Sequence, residues 1–254
     1  MPYASTDLTG QVALVTGASA GLGRRFASTL AAAGAHVVAA GRRTELLKEL
    51  ADEIAAAGRR CEPVTLDVTD VAACDAVFDR AEAVCGPVTI LVNNAGIPDA
   101  KRAHKMPIEL IDAVIATNLR GPFQLSTAMA RRLIKAGLGG RIVNISSIAA
   151  FNYSPGSAAA LYATTKAAIN RMTEVLAVEW LKYGINVNAI APGSFWSEMH
   201  EGLVARVGDV TQHMPRKRIG DPAQLDSTLL YLVAPSSELV TGTVVRVDDG
   251  QGGR

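Results

Sequence analysis

The sequence contains few cysteines, and none of them has the spacing of a structural site. Only Cys61, Cys74 and Cys85 occur among the 254 residues, without a CxxC pair. An odd and scattered set argues against a disulfide framework and against a zinc site. We therefore expect reduced thiols, a cytoplasmic location and no bound metal.

Long apolar runs and an excess of charge of one sign are also missing. No run is long and clean enough to span a bilayer, and the first residues lack the basic-then-apolar pattern of a signal peptide. The formal net charge is only +1. Such a balance gives no electrostatic reason to expect nucleic acid or an anionic membrane as a partner, which leaves small molecules.

Short apolar runs alternate with longer amphipathic stretches along the whole chain. Runs rich in Val and Ile are typical of strands buried on both faces, and they lie at 12–15, 36–40, 61–66, 89–92, 141–145, 186–190 and 244–247. Helical patterns lie between them, at 22–33, 44–57, 71–84, 108–135, 161–182 and 222–233. Since no linker divides the chain, we predict one α/β domain over 1–254, a doubly wound parallel sheet with helices on both faces.

A glycine-rich turn follows the first predicted strand, at the sheet edge where such folds bind their ligand. Residues 16–23 read TGASAGLG, a GxxxGxG pattern. Glycine lets backbone N–H groups approach a pyrophosphate at the start of the next helix. A plain strand-to-helix turn is the alternative, but the position favours a dinucleotide site. The candidate contacts are Gly17, Ser19, Gly21, Leu22 and Gly23.

Two arginines stand where the second predicted strand ends. Arg42 and Arg43 occupy the position at which NAD-binding sheets carry an acidic residue for the ribose 2′-hydroxyl, and this neighbourhood has no Asp or Glu before Glu45. Arginine can instead take the 2′-phosphate of NADP in a charge-assisted contact. The sequence therefore favours NADP(H) over NAD(H), with a solvated helix start as the alternative.

The third and fourth predicted strands also end in candidate cofactor contacts. These are Asp67, Val68, Asn94, Ala95 and Gly96. Asp67 either accepts a hydrogen bond from the adenine amino group or simply terminates its strand. The small Ala95 and Gly96 allow close packing near a ribose. We expect the amides before them to be mainly structural, with Asn93 lining the cofactor.

Candidate catalytic residues fall at the same predicted edge. Tyr162 and Lys166 are spaced i, i+4 at the start of a helical pattern, so both project from one face. A nearby ammonium would lower the pKa of the phenol, which is too high in free tyrosine for proton exchange at neutral pH. A serine at 146 or 147 could bind the substrate oxygen. Asn118, inside a helical pattern, either caps a kink or holds a water near Lys166.

In this order the motifs TGASAGLG, NNAG, SS, YATTK and Ala191-Pro192-Gly193 resemble those of the short-chain dehydrogenase/reductase family. The similarity covers essentially the whole chain and is closest to the typical single-domain form, with 3-oxoacyl reductase-like and carbonyl reductase-like members. It implies a seven-stranded, Rossmann-like parallel sheet. It also implies a homotetramer or homodimer joined through the helices near 108–135 and 161–182.

The resemblance assigns a catalytic tetrad and a nicotinamide site. The tetrad would be Asn118, Ser147, Tyr162 and Lys166. In reduction, Ser147 would hold the carbonyl oxygen, Tyr162 would donate the proton, and Asn118 would hold a relaying water. Lys166 would lower the Tyr162 pKa and bind the nicotinamide ribose. The carboxamide would be oriented by Pro192, Gly193 and Ser197.

The segment 194–218, called the lid segment below, is the least regular stretch and would cover the site. Its apolar residues, with those of the loop after the serines, predict a hydrophobic ketone such as a 3-oxoacyl chain or a ring ketone. The candidate substrate contacts are Ala149, Tyr153, Phe195, Trp196 and Met199. Each of them could equally pack on the core or on a partner subunit. The loop with Tyr153, Pro155 and Gly156 is expected to reshape the pocket.

Two other functions compete with reduction of an apolar carbonyl. The first is a sugar or polyol dehydrogenase that works oxidatively, which more polar pocket walls would favour. The second is a cofactor-binding regulator without catalysis, and the presence of all four tetrad residues argues against it.

Overall fold

The computed structural model describes residues 5–153 and 158–252. Its strands form one parallel sheet of seven strands in the order β3-β2-β1-β4-β5-β6-β7, with helices on both faces, which confirms the predicted fold class. The strands are β1 (Val12–Thr16), β2 (His36–Gly41), β3 (Cys61–Thr65), β4 (Ile90–Asn93), β5 (Gly140–Ile145), β6 (Ile185–Pro192) and β7 (Val244–Val247). The order reverses between β1 and β4, and this switch point is where an open parallel sheet binds ligands.

The helices cover the two faces of the sheet. They are α1 (Gly21–Ala32), α2 (Thr44–Ala56), α3 (Val71–Cys85), α4 (Ile108–Ile115), α5 (Gly121–Ala136), α6 (Ala160–Trp180), α7 (Glu198–Val207) and α8 (Asp226–Val233). Among the helices described, none is long and apolar enough to cross a membrane. Local signals fix several ends. Asp70 caps α3 by accepting from the N–H groups of Ala72 and Ala73, and Gly137 ends α5 with φ +67°.

Alternate residues of the central strands enter different cores. In β1, Leu14 packs with α3, α5 and α6 on one face, whereas Val15 packs with α1, α2 and α8 on the other. Both side chains are fully buried. This two-sided burial explains why the strands are apolar nearly throughout.

Two predicted segments differ in detail. The helix expected over 108–135 contains a π-helical stretch, Ala116–Arg120, between α4 and α5. The lid segment, expected to be irregular, contains α7. A signal for that helix was present: Ser197 is its N-cap and accepts from the His200 N–H, and Glu198 and Glu201 lie in the first turn.

Candidate active site

A cleft of about 1020 Å³ lies at the carboxyl ends of the strands. Most of the predicted cofactor contacts line it, which brings together residues from six separate parts of the chain. These are Gly17, Ser19, Gly21, Leu22, Arg42, Arg43, Asp67, Val68, Asn94, Ala95, Gly96, Tyr162, Lys166, Pro192, Gly193 and Ser197. A cleft of this volume is at the upper end of the usual range for small-molecule and cofactor sites.

The glycine turn is shaped by its own backbone and by an amide from the next strand end. Gly17 and Gly21 have φ of +67° and +54°. The Asn94 Nδ2 donates to the Thr16 and Gly17 carbonyls at 3.0 and 3.3 Å. Gly23 lies behind the turn and does not line the cleft. A Cβ there would lie 2.3 Å from the Gly17 carbonyl oxygen, so its glycine permits close helix packing.

Asn93 does not line the cleft, contrary to expectation. Its side chain is buried, and its Nδ2 donates to the Ser126 Oγ at 3.0 Å and to the Asn144 Oδ1 at 2.9 Å. The reason is the pleat: successive residues of β4 point to opposite faces, and the neighbouring Asn94 begins the turn into the cleft. Asn93 therefore belongs to a buried polar network between the strands and α5.

The two arginines at the end of β2 have different surroundings. The Arg43 Nε donates to the Ser19 Oγ at 3.1 Å, and its Nη1 pairs with the Glu198 Oε1 of the lid segment at 2.8 Å. Arg42 lines the cleft without such a bond among the described residues. Glu198 was not among the sequence candidates. No local pattern could have identified it, because it lies 155 residues from Arg43.

Asp67 closes the turn after β3 and also lines the cleft. Its Oδ1 accepts from the Thr69 N–H and Oγ1 at 2.9 and 2.8 Å, which forms the turn that ends β3. The hydrogen bond from the Thr69 N–H, and further the positive charge of Arg42, lower the pKa of Asp67. Since the residue also lines the cleft, the turn presents an ionised carboxylate to a ligand there.

Tyr162, Ser147 and Lys166 meet in the floor of the cleft. The Ser147 and Tyr162 side chains are hydrogen-bonded, and the Lys166 Nζ lies 5.6 Å from the centre of the tyrosine ring. This Nζ donates to the Ile145 carbonyl at 2.7 Å, which fixes the ammonium at the end of β5. Helix α6 supplies Tyr162 and Lys166 from one face, one turn apart, as their spacing predicts.

The protein's own groups leave the pKa of Tyr162 above its ordinary value. Burial raises it most, the Ser147 hydrogen bond opposes this, and the negative charge of Asp99 adds to it. Burial also lowers the pKa of Lys166 to about 8. The net shift of the tyrosine pKa is therefore opposite to the lowering expected from Lys166, because burial of the phenol disfavours the phenolate.

The hydrogen bonds of Ser146 and Ser147 distinguish the two serines. The Ser146 Oγ donates to the Lys166 carbonyl at 3.1 Å and is buried, so it braces β5 against α6. The Ser147 Oγ accepts from the Ala149 N–H at 3.1 Å and bonds Tyr162. Only Ser147 presents its hydroxyl beside the phenol.

Asn118 lies behind the cleft and not in its lining. In the π-helical stretch its Oδ1 accepts from the Ile97 N–H at 2.8 Å and its Nδ2 donates to the Ile97 carbonyl at 2.9 Å. It thus joins the helix to the chain that leaves β4. A Cβ on Gly96 would lie 3.4 Å from the Asn118 Oδ1 and 3.6 Å from the Lys166 Nζ, so the amide and the ammonium are near neighbours.

The carboxyl end of β6 is braced by the C-terminal strand and tail. The Gly193 N–H donates to the Val247 carbonyl at 2.9 Å, and the Ser194 N–H donates to the Gln251 Oε1 at 2.8 Å. A Cβ on Gly193 would lie 2.6 Å from this Oε1. The tail also anchors the lid segment, because Asp249 pairs with Arg216 and Arg218. This bonding gives a structural role to an aspartate that its sequence context leaves unexplained.

The predicted substrate contacts divide into two groups. Phe195 and Met199 line the cleft, whereas the structure places Ala149, Tyr153 and Trp196 outside its lining. Trp196 is 54% exposed and meets the ring of His200 edge-on. Residues 154–157, with Pro155 and Gly156, lie outside the described part of the chain.

The lid segment also brings polar groups that the sequence candidates did not include. His200 and Arg206 line the cleft from α7, next to Leu203. His200 is buried, and burial lowers its pKa, so it is neutral near pH 7. The lining contributed by this helix is therefore mixed, with an imidazole and a guanidinium beside apolar side chains.

Asp99 is a second residue that sequence reasoning missed. It is 2% exposed, and its Oδ2 accepts from the Leu161 and Tyr162 N–H groups at 2.9 and 3.0 Å. The carboxylate thus satisfies free donors in the first turn of α6 and holds Tyr162. The available signal was an acidic residue shortly after the fourth strand, at the ligand-binding edge.

Comparison with known proteins gives matches over nearly the full length. The sequence model of a family described as short chain dehydrogenase matches residues 11–207. The 2-dehydro-3-deoxy-D-gluconate 5-dehydrogenase of Dickeya dadantii is 37% identical over 96% of this chain and 96% of that protein. The gluconate 5-dehydrogenase of Gluconobacter oxydans is 36% identical over 96% and 95%. The crystal structure of a gluconate 5-dehydrogenase from Burkholderia cenocepacia in complex with NADP and tartrate has a TM-score of 0.90 at 33% identity, over 97% of this chain and 96% of that one.

Proposed function

Because the chain belongs to the short-chain dehydrogenase family, an enzyme family that acts on secondary alcohols and ketones, we propose that it oxidises a polyhydroxylated acid or polyol with a nicotinamide cofactor. The observation that carries the proposal is the group formed by Ser147, Tyr162 and Lys166 in the cleft. A phenol bonded to a serine hydroxyl, beside a fixed ammonium, can exchange a proton with an alcohol oxygen.

Each residue of this group has a distinct role in the proposal. The Ser147 hydroxyl holds the alcohol oxygen, and the Tyr162 hydroxyl takes its proton as the carbonyl forms. The Lys166 ammonium offsets negative charge on the phenolate and reaches the ribose, and Asn118 keeps the π-helical stretch and the strand end together behind it. An oxidised nicotinamide bound here would supply the acceptor for the hydride of the carbinol carbon, and its positive charge would favour the phenolate.

The cofactor proposed is NADP(H). Support comes from Arg42, whose guanidinium lines the cleft at the end of β2, and from the lack of an acidic residue at that position. The similar protein from Burkholderia cenocepacia was crystallised with NADP. The glycine turn and the N-terminus of α1 would hold the pyrophosphate, while Pro192 and Gly193 would face the nicotinamide.

The proposed substrate class is the alternative weighed from the sequence, not the apolar ketone. The hydrophobic expectation rested on the lid segment, yet Trp196 lies outside the cleft lining, and Phe195, which belongs to it, also packs on Gly220. His200 and Arg206 bring hydrogen-bonding and positive groups to the same wall. The similar proteins named above act on gluconate and on 2-dehydro-3-deoxy-D-gluconate, which are hydroxylated acids. We also propose that 194–218 closes over the substrate as a lid of a single domain.

The experiment is an activity screen at equal concentrations of NADP⁺ and NAD⁺. The substrates would be gluconate, its neutral analogue sorbitol, and cyclohexanol as an apolar secondary alcohol. Cofactor reduction is expected to be fastest with gluconate. Faster turnover of cyclohexanol would favour an apolar substrate instead. Tight cofactor binding without turnover of any of the three alcohols would favour the regulator.

Assembly through the long helices is a further part of the proposal. Large apolar side chains are exposed on α5 and α6, among them Phe123, Val175 and Val178. Val178 is 78% exposed, which is unusual for valine in a helix without a partner. Sedimentation of the native protein and of Val178→Asp tests this: a dimer or tetramer that dissociates in the variant is expected, and a native monomer would contradict it.

A further inference from the structure

The first residue of α7 is joined to the cofactor side of the cleft by an ion pair. The Glu198 Oε1 lies 2.8 Å from the Arg43 Nη1, and the Arg43 Nε donates to the Ser19 Oγ at 3.1 Å. Ser19 belongs to the glycine turn, and Arg43 is the N-cap residue of α2. A carboxylate from the lid segment therefore reaches the region where the adenosine ribose is proposed to lie.

The packing at the start of α7 explains this proximity. Gly21 of the turn faces Ser197, and a Cβ on Gly21 would lie 3.2 Å from the Ser197 Cβ. Ser197 is the N-cap of α7, so the helix begins directly against the glycine turn. Glu198 follows immediately and extends from this contact to Arg43. The position of Glu198 is therefore set by the contact between the glycine turn and the start of α7, and not by the ion pair alone.

Glu198 and Arg43 each favour the ionised form of the other. The hydrogen bond from Arg43 lowers the pKa of Glu198, and the same bond raises the pKa of Arg43. A 2′-phosphate that bound the Arg43 guanidinium would then lie roughly 4 to 6 Å from the Glu198 carboxylate, at a distance where like charges near a protein surface repel. A ribose 2′-hydroxyl would meet no such repulsion, and a carboxylate there can accept its hydrogen bond.

We propose that Glu198 is a specificity-determining residue for the cofactor: it occupies Arg43 and opposes the 2′-phosphate, so that Arg42 alone reads NADP(H) and NAD(H) is retained as a second cofactor. The inference rests on the proposed cofactor site. The carboxylate that NAD-binding sheets carry at the end of β2 is missing here, and Glu198 supplies one from the lid segment. The lid segment and the 2′-phosphate therefore compete for one guanidinium.

The test compares the dissociation constants of NADPH and NADH in Glu198→Gln and Glu201→Gln. Both glutamates lie in the first turn of α7, so each substitution removes one charge and one favourable interaction with the helix dipole. Only Glu198 contacts Arg43 and lines the cleft. Titration of the fluorescence of the reduced cofactors gives both constants without any turnover. The ratio Kd(NADH)/Kd(NADPH) is expected to rise roughly tenfold in Glu198→Gln and to stay within about twofold of the native ratio in Glu201→Gln.

Arg43→Gln and the double variant Arg43→Gln/Glu198→Gln test whether the effect of Glu198 on the ratio of dissociation constants depends on Arg43. In an Arg43→Gln background, Glu198→Gln is expected to change the ratio far less than it does in the native chain, since the competition for the guanidinium is gone. Equal ratios in Glu198→Gln and Glu201→Gln would overturn the inference and reduce the contact to a surface ion pair. A fall of the ratio in Glu198→Gln would also overturn it.

The outcomes separate this inference from the proposed function. If neither reduced cofactor binds the native protein, the proposed cofactor site itself fails. If both bind and only the response to Glu198→Gln is missing, the dehydrogenase proposal stands and the role of Glu198 is wrong.

Discussion

In the wall of the cleft that carries Tyr162, the key side chains are buried and bonded to backbone groups, whereas the wall formed by α7 is held by ion pairs of partly exposed side chains. Asn118 bonds both backbone groups of Ile97, and Lys166 bonds the Ile145 carbonyl. The lid segment is held by Glu198 on Arg43 and by Arg218 on Asp249, whose side chains are partly exposed. Buried and fully paired polar groups fix geometry, whereas exposed ion pairs contribute little and exchange readily.

The tyrosine wall is suited to the chemical step, and the α7 wall is suited to the binding and release of substrate. The tyrosine wall has to keep reacting groups within a fraction of an ångström, and its contacts are suited to that task. The α7 wall has to open for substrate and product, and weak contacts permit it. We therefore expect changes in the first wall to act on kcat and stability, and changes in the second to act on affinity.

The largest effect is expected from Tyr162→Phe. The variant keeps the ring but loses the only phenol in the cleft lining of the described residues, and with it the group proposed to exchange the proton. Turnover should fall roughly 100- to 10,000-fold while cofactor affinity stays close to native, measured by steady-state kinetics and cofactor titration. Tyr231→Phe, an exposed tyrosine on α8, is the control. Turnover of Tyr162→Phe near the native rate would refute the assignment.

The buried ammonium of Lys166 should appear in the pH dependence of stability. Its pKa falls from 10.5 to about 8 on folding, because burial disfavours the charged form. Between these values the unfolded chain binds the proton and the folded chain does not, so this contribution to stability rises with pH. The stability of the native protein relative to Lys166→Met should increase by about 3 kcal/mol between pH 7.5 and 10.5.

Denaturant unfolding of both proteins across this range measures the effect. The raised pKa values of the buried thiols Cys61 and Cys74, about 12 and 11, act in the opposite direction but equally in both proteins, so they cancel in the difference. A difference that does not change with pH would mean that Lys166 titrates normally and is not held in a desolvated site.

A smaller effect is expected at Asp99, which acts as a positioning residue. Asp99→Ala leaves the Leu161 and Tyr162 N–H groups without their buried acceptor and should cost about 1 to 3 kcal/mol of stability, with a lower kcat. Asp99→Asn keeps an acceptor oxygen and should recover most of both. Asp70→Ala removes an equivalent cap from α3 and should lower stability without lowering kcat. Equal kcat in all three variants would show that Asp99 does not position Tyr162.

What could be predicted from the sequence depends on how far apart the interacting residues lie along the chain. The strands were predictable because burial on both faces leaves a local apolar signature, as in β1 and β6. The glycine turn and the spacing of Tyr162 and Lys166 are local features too, because each involves only a few neighbouring residues. Bounds shifted by a residue or a few, and β6 runs on to Pro192 beyond the predicted end at 190.

The rest depends on contacts between distant segments. Glu198 meets Arg43 across 155 residues, and Asp99 meets Tyr162 across 63, so no window of sequence contains both partners. Which residues of the lid segment line the cleft was hard to predict for the same reason. Composition identified Trp196 and Met199 as apolar, but only the fold decides that the second lines the cleft and the first does not.

The smallest expected effect is on the α7 wall, at Arg206. Its guanidinium lines the cleft from the last turn of α7, where it could meet the carboxylate of a hydroxylated acid. Arg206→Gln should raise KM for gluconate roughly three- to tenfold, with kcat and KM for sorbitol nearly unchanged, because only the acid carries the charge. Arg171→Gln, which removes an arginine from an exposed position on α6, serves as the control in the same assays. A loss of kcat in Arg206→Gln would break the division between the walls, since it would place this arginine among the groups that align the reaction. Equal rises of KM for gluconate and sorbitol would instead show that α7 contributes shape and not charge to the selection of substrate.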